Sequence, residues 1–111
     1  MRHYKLYLKD ILFAIEKIEK YTKGLSPLEF KKNSLVIDGV VRNLEIIGEA
    51  SKKLPTEIKN NLPDVEWKKM TGLRDILIHE YFGIDKEIVW DIIQNKLPSL
   101  KKKISELMKR A

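Results

Sequence analysis

From Ser34 to Lys53 the chain carries no proline, and its charges before the last turn are confined to one narrow stripe. Few folds accommodate such a segment. At ~100° per residue, Asp38, Arg42, Glu45 and Glu49 fall along one side of a helix. Nearly everything else from Leu35 to Ala50 is apolar or small, with Val36, Ile37, Val40, Val41, Leu44, Ile46 and Ile47 prominent. A helix that is apolar on most sides is buried on most sides, so other helices must surround it. Its charged stripe then meets solvent, forms ion pairs, or lines a cleft or a dimer interface. Arg42 is in register to pair with Asp38 (i, i+4) and with Glu45 (i, i+3).

The rest of the chain supplies the surrounding helices. Tyr4, Leu8, Ile11, Leu12, Ile15, Ile18 and Tyr21 recur at helical spacing, which predicts an amphipathic helix over 3–23, with Gly24 as its stop. Ser26-Pro27-Leu28-Glu29 fits a capping box with proline at the first helical position, opening a short helical turn through Phe30. Leu54-Pro55 ends the long helix, and a minor turn is expected over 56–61, before Pro63. Asp64 is the expected cap of a further helix running through Trp67 and Leu73 to Phe82, with Gly83 as its stop. Asp85 caps a last helix carrying Ile88, Val89, Ile92 and Ile93. Pro98 is expected to break or kink it, and a basic segment from Leu100 to Arg110 follows. No stretch shows strand alternation. The expected architecture is all-α: an antiparallel four-helix bundle with short additional helices, in one domain over 1–111.

Composition narrows the function classes. A chain of 111 residues is one domain by length and long enough to bury a core without staples. Having no cysteine, it has no disulfide, thiolate metal site or cysteine nucleophile, which agrees with a cytoplasmic location. No apolar run approaches the ~20 residues of a membrane span, and the opening residues lack the apolar stretch of a signal peptide. A net charge of +6 favours a polyanionic partner, RNA or DNA, or serves solubility alone. All but four of the 22 basic residues are lysine, the exceptions being Arg2, Arg42, Arg74 and Arg110. An interior arginine in a lysine-rich chain points to a need for a planar, bidentate donor.

The segment with most chemistry is Arg74-Asp75-Ile76-Leu77-Ile78-His79-Glu80-Tyr81. Asp75 and His79 are four apart on one helix face, so the carboxylate can orient the imidazole or raise its pKa. Arg74 and Tyr81, seven apart, are nearly eclipsed. Arg74 and His79 lie ~140° apart around a straight helix. They meet at one phosphate only if Arg74 curls round, the helix ends near His79, or a second subunit contributes. On residues alone, an ion pair and a surface or interface histidine explain the segment better than catalysis does. No carboxylate–histidine cluster suggests a metal site. Trp67, Trp90, Tyr4 and Tyr21 read as core or interface residues, and no basic–aromatic interleaving marks a base-stacking surface. The run Lys101-Lys102-Lys103 is a solvated face or a guide for RNA.

The pattern R-x4-H-x-Y in RDILIHEY resembles HEPN-domain proteins of the HepT type. So do Arg42-Asn43-Leu44-Glu45-Ile46-Ile47-Gly48-Glu49-Ala50, Trp67 ahead of the Arg74 segment, and Val89-Trp90…Leu97-Pro98. Tyr21-Thr22, Gly24 and Phe30 fit as well, so the resemblance runs along almost the whole chain. It implies a HEPN-like fold and a cytoplasmic ribonuclease toxin without a cofactor, working as a homodimer that brings two R-x4-H motifs to one cleft. Its partner would be an MNT-type nucleotidyltransferase antitoxin. By the same resemblance His79 is the general acid or base and Arg74 stabilises charge on the phosphoryl oxygens. Tyr81 is the residue that receives AMP. Asp75 stands where many relatives carry another polar residue, often asparagine, and brings a negative charge near the phosphate. The alternative is a non-catalytic helical partner or substrate-binding subunit of a nucleotidyltransferase.

Overall fold

The computed structural model describes residues 3–73 and 85–110. Helix α1 spans Tyr4–Thr22, α2 Pro27–Lys32, α3 Ser34–Lys53, α4 Thr56–Asn60 and α5 Trp67–Thr71. After 74–84 come α6, Lys86–Asp91, a π-helical turn at Ile92–Lys96, and α7, Leu97–Arg110. No strand occurs among the described residues, and the fold is all-α.

The local signals act as expected at most boundaries. Gly24 takes a positive φ of 79°, which a residue with a Cβ adopts at a cost, and ends the run of α1. The capping box forms in full: Glu29 N–H donates to the Ser26 hydroxyl at 3.1 Å, and Ser26 N–H donates to the Glu29 carboxylate at 2.9 Å. Asn33 caps α3 by accepting from Val36 N–H, and Asp85 caps α6 by accepting from Glu87 and Ile88 N–H.

Two boundaries differ from expectation. Asp64 does not cap a helix. Residues 62–66 form turns closed by Val65 N–H to Leu62 O and Trp67 N–H to Val65 O, and α5 starts at Trp67 with Glu66 before it. Helix α5 stops at Thr71 with Gly72 at its C-cap, so no single helix runs from Asp64 through Leu73; the expected continuation to Phe82 and Gly83 lies outside the described residues. Nor does Pro98 end the last helix. The preceding turn widens instead, with Leu97 N–H donating to Ile92 O five residues back. Proline has no N–H to give and its ring collides with the carbonyl four residues earlier. A π turn makes room for the ring and lets the helix continue to Arg110.

Most of the core comes from α1, α3 and α7. Helix α1 contributes Leu8, Ile11, Ala14, Ile15 and Ile18, α3 contributes Ile37, Val40, Val41, Leu44 and Ile47, and α7 contributes Leu97, Leu100, Ile104 and Leu107. Among the described residues the most extensive packing is between α1 and α3; α7 lies on α1, and α2 bridges α3 and α6. Each fully buried leucine or isoleucine contributes about 1.5–3 kcal/mol. Tyr21 and Leu35, read as apolar-face positions, are exposed. Gly39 accommodates the Tyr21 ring: a Cβ there would stand 3.1 Å from its Cε2. Thr22 is buried in the final turn of α1, its hydroxyl donating to Ile18 O at 2.8 Å.

Candidate functional site

The charged stripe of α3 opens into a cavity of about 320 Å³ between α1 and α3. Arg42, Glu45, Glu49 and Lys53 line it from α3, Tyr7 and Asp10 from α1. Three of the four stripe residues thus share one cleft, while Asp38 lies outside its lining. Arg42 pairs with neither Asp38 nor Glu45 among the described residues. An exposed ion pair is worth only about 0–1 kcal/mol, too little to hold so long a side chain. The guanidinium is left exposed at the cleft, able to meet an anion in bidentate fashion. The Lys53 ammonium sits 5.9 Å from the centre of the Tyr7 ring, a cation–π contact that ties the end of α3 to α1.

Tyr7, Asp10 and Lys53 were not read from the sequence as site residues. Tyr7 and Asp10 lie three apart on the α3-facing flank of α1. Lys53 is eleven residues beyond Arg42, three turns along the same side of α3. Those spacings are visible in the chain, but choosing them requires knowing which flank of α1 meets α3.

Arg74, Asp75, His79 and Tyr81 lie outside the described residues. Their immediate surroundings in the chain are described. Leu73 is buried in the core. Trp67, at the start of α5, donates from Nε1 to two backbone carbonyls, Leu62 O at 3.1 Å and Lys59 O at 3.2 Å, and so fastens the α4–α5 connection. Trp90 packs on Phe30 with ring centres 5.0 Å apart, and Tyr4 stacks on His3. These aromatics are structural, as their apolar settings imply.

The run 101–103 does not act as one face. Lys101 donates to Glu19 at 2.8 Å, tying α7 to α1, and that hydrogen bond raises its pKa. Lys102, ~100° further round, faces solvent. Among the described residues no group of His, Cys, Asp or Glu is arranged to hold a metal ion, and no helix is long and apolar enough to cross a membrane.

Comparison with known proteins covers the same ground. The family model described as Ribonuclease HepT-like matches residues 11–107. A Methanocaldococcus jannaschii protein with a provisional RNase name is 46% identical over 105 residues, 95% of this chain and 87% of that protein. The probable ribonuclease HepT of Thermococcus cleftensis is 43% identical over 108 residues, covering 97% of this chain and 98% of the relative. A longer Methanocaldococcus jannaschii protein, whose name joins gamma-glutamylcyclotransferase to a provisional RNase, is 41% identical over 104 residues. The chain spans 47% of that relative's length. No solved structure matches.

Proposed function

The chain belongs to the ribonuclease HepT-like family, and so to the endoribonucleases, and from that premise we propose that it is the toxin of a cytoplasmic HEPN/MNT pair. The observation that carries the reading is the span of the match: 11–107 includes the whole of RDILIHEY, with its R-x4-H-x-Y pattern.

The chemistry is an internal transesterification that requires no metal. A ribose 2′-hydroxyl gives up its proton and attacks the adjacent phosphorus. The bond from phosphorus to the 5′-oxygen breaks, and that oxygen takes a proton as it leaves. The products are a 2′,3′-cyclic phosphate and a 5′-hydroxyl. An imidazole near its ordinary pKa of about 6.5 serves as either acid or base, and His79 has this role. Arg74 stabilises the charge that grows on the non-bridging oxygens. One histidine cannot take and give a proton in the same step, so a homodimer supplies two. Arg42 is exposed at the α1–α3 cleft and makes no ion pair among the described residues, which leaves its guanidinium able to reach a phosphate at the rim of that cleft. Control comes from a nucleotidyltransferase that moves AMP onto Tyr81, where a phosphodiester two residues from His79 repels incoming RNA.

The test is RNA cleavage by the purified protein and by its Arg74→Ala and His79→Ala variants, with sedimentation run alongside. Both variants lose cleavage while remaining helical, and the wild type sediments at about twice 13.1 kDa. Cleavage undiminished by both substitutions would place the chemistry elsewhere. A chain monomeric at every concentration would remove the shared cleft.

A further inference from the structure

Helix α1 keeps its acids off one outward face, with Lys5 the one lysine on an acidic flank. Its three acids lie on the two flanks. Asp10 lines the cleft against α3, Glu19 bonds Lys101 of α7, and Glu16 lies on that second side, near enough for its charge to favour the Lys101 ammonium. Between the flanks runs an outward ridge of Leu6, Lys9, Phe13, Lys17 and Lys20, all exposed and none acidic. On a regular helix the three lysines and Phe13 fall within about 80° of arc, opposite the buried Ile11, Ile15 and Ile18.

Phe13 is the anomaly on this ridge. It is 66% exposed, although the neighbouring core has taken every other large apolar side chain from Leu8 to Ile18 at least in part. Lys9 and Lys17, one turn before and one turn after, flank its ring. Lys9, Lys17 and Lys20 make no ion pair among the described residues. An exposed ring set between unpaired ammonium groups is the arrangement by which proteins hold single-stranded nucleic acid: base on ring, phosphate on cation.

We propose that the outer ridge of α1 is a track for single-stranded RNA, with the Phe13 ring stacked on a base and Lys9, Lys17 and Lys20 on the flanking phosphates. The track rests on the ribonuclease reading and adds to it a site for substrate at a distance along the chain from the R-x4-H segment. From Lys9 to Lys20 the helix rises about 16 Å, enough for a few nucleotides. A protein partner fits less well, because it would bury three ammonium groups around one ring, and lysine is depleted at the centres of protein interfaces. Phosphate compensates each of them.

The experiment uses the full chain and a fluorescein-labelled 2′-O-methyl oligouridine, which lacks the attacking hydroxyl and so reports binding without cleavage. Affinity is read by anisotropy across a salt series. Phe13→Ala weakens binding about tenfold, within the range for one base–aromatic stack. Phe13→Tyr stays near wild type, and Phe13→Leu is as weak as alanine. The combined Lys9→Ala, Lys17→Ala and Lys20→Ala variant lowers the slope of log affinity against log salt by about 2, at ~0.7 per phosphate contact on single strands. Equal affinity for wild type and Phe13→Ala overturns the track. So does full binding by Phe13→Leu, or a changed sedimentation profile in Phe13→Ala at unchanged RNA affinity, which marks the ridge as a protein interface. Cleavage of ordinary RNA is measured in parallel. A wild type that cleaves but is indifferent to Phe13 loses the track alone, whereas one that neither binds nor cleaves loses the ribonuclease premise.

Discussion

Replacing Ser51 with alanine should stabilise this protein. Ser51 lies in the last turns of α3, is fully buried, and its hydroxyl has no hydrogen-bond partner among the described residues. A buried polar group left unsatisfied costs about 1–3 kcal/mol in lost hydration. Ser51→Ala recovers that cost and adds about 0.5 kcal/mol of helix propensity. Against this stand the few dispersion contacts of one oxygen atom, at ~0.1–0.2 kcal/mol each. For the lower half of that cost the net gain is about 1–2 kcal/mol. Unfolding entropy of ~2.1 cal/mol/K per residue over 111 residues makes 1 kcal/mol worth about 4 °C, so Tm should rise by about 4–8 °C. Thermal unfolding followed by circular dichroism, with urea titration as a second route to the same quantity, measures it. A Tm lowered by Ser51→Ala would mean that the hydroxyl makes a stabilising bond, and the reasoning would fail.

Trp67→Phe keeps most of the ring but removes the donor shared by Lys59 O and Leu62 O; a loss of about 1 kcal/mol should appear in urea unfolding, with Trp67→Ala losing about 3–5 kcal/mol. The Glu29 carboxyl is held below its ordinary value by the Ser26 backbone N–H and then by the Ser26 hydroxyl. A depressed carboxylate adds stability that is present above its unfolded pKa, near 4.5, and is lost as pH falls through the folded value. The advantage of wild type over Glu29→Gln should therefore fade below about pH 4.5, and a pH series of Tm values checks this. If the proposed pairing holds, Tyr81→Phe incubated with an MNT-type nucleotidyltransferase, ATP and magnesium should gain no AMP mass and keep its ribonuclease activity, whereas the wild type should gain mass on the Tyr81 peptide and lose activity.

The fold was legible where a local signal had one physical meaning. The Ser26–Glu29 box, the Gly24 stop, the Asp85 cap and the bounds of α3 all satisfy backbone groups within a few residues, so the chain displays them directly. The Asp64 cap failed because a good capping side chain cannot choose between opening a helix and sitting in a turn. The turn here is held by the Trp67 indole, and that bond spans eight residues to reach Lys59 O. Pro98 was expected to break or kink the last helix, and the helix instead runs on behind a π turn. The widened turn leaves Ile93 and Leu97 buried, and proline chemistry alone does not choose it over a break. Arg42, Glu45 and Glu49 were singled out from the stripe alone, yet Tyr7, Asp10 and Lys53 needed the α1–α3 contact. The exposed Phe13 between Lys9 and Lys17 was not singled out from the sequence, where no basic–aromatic interleaving was read as a stacking surface. Phe13 sits among core residues in sequence, and only the direction of α1 shows that it points outward.

The central claim is a transesterification that His79 catalyses without metal, and the chemistry of the cut ends tests it most directly. A 5′-labelled RNA incubated with purified protein in EDTA should give fragments ending in 2′,3′-cyclic phosphate, with 5′-hydroxyl ends on the complementary pieces, and His79→Ala should give none. Fragments ending in a free 3′-hydroxyl with 5′-phosphate, or cleavage that stops in EDTA and returns with magnesium, would contradict the account.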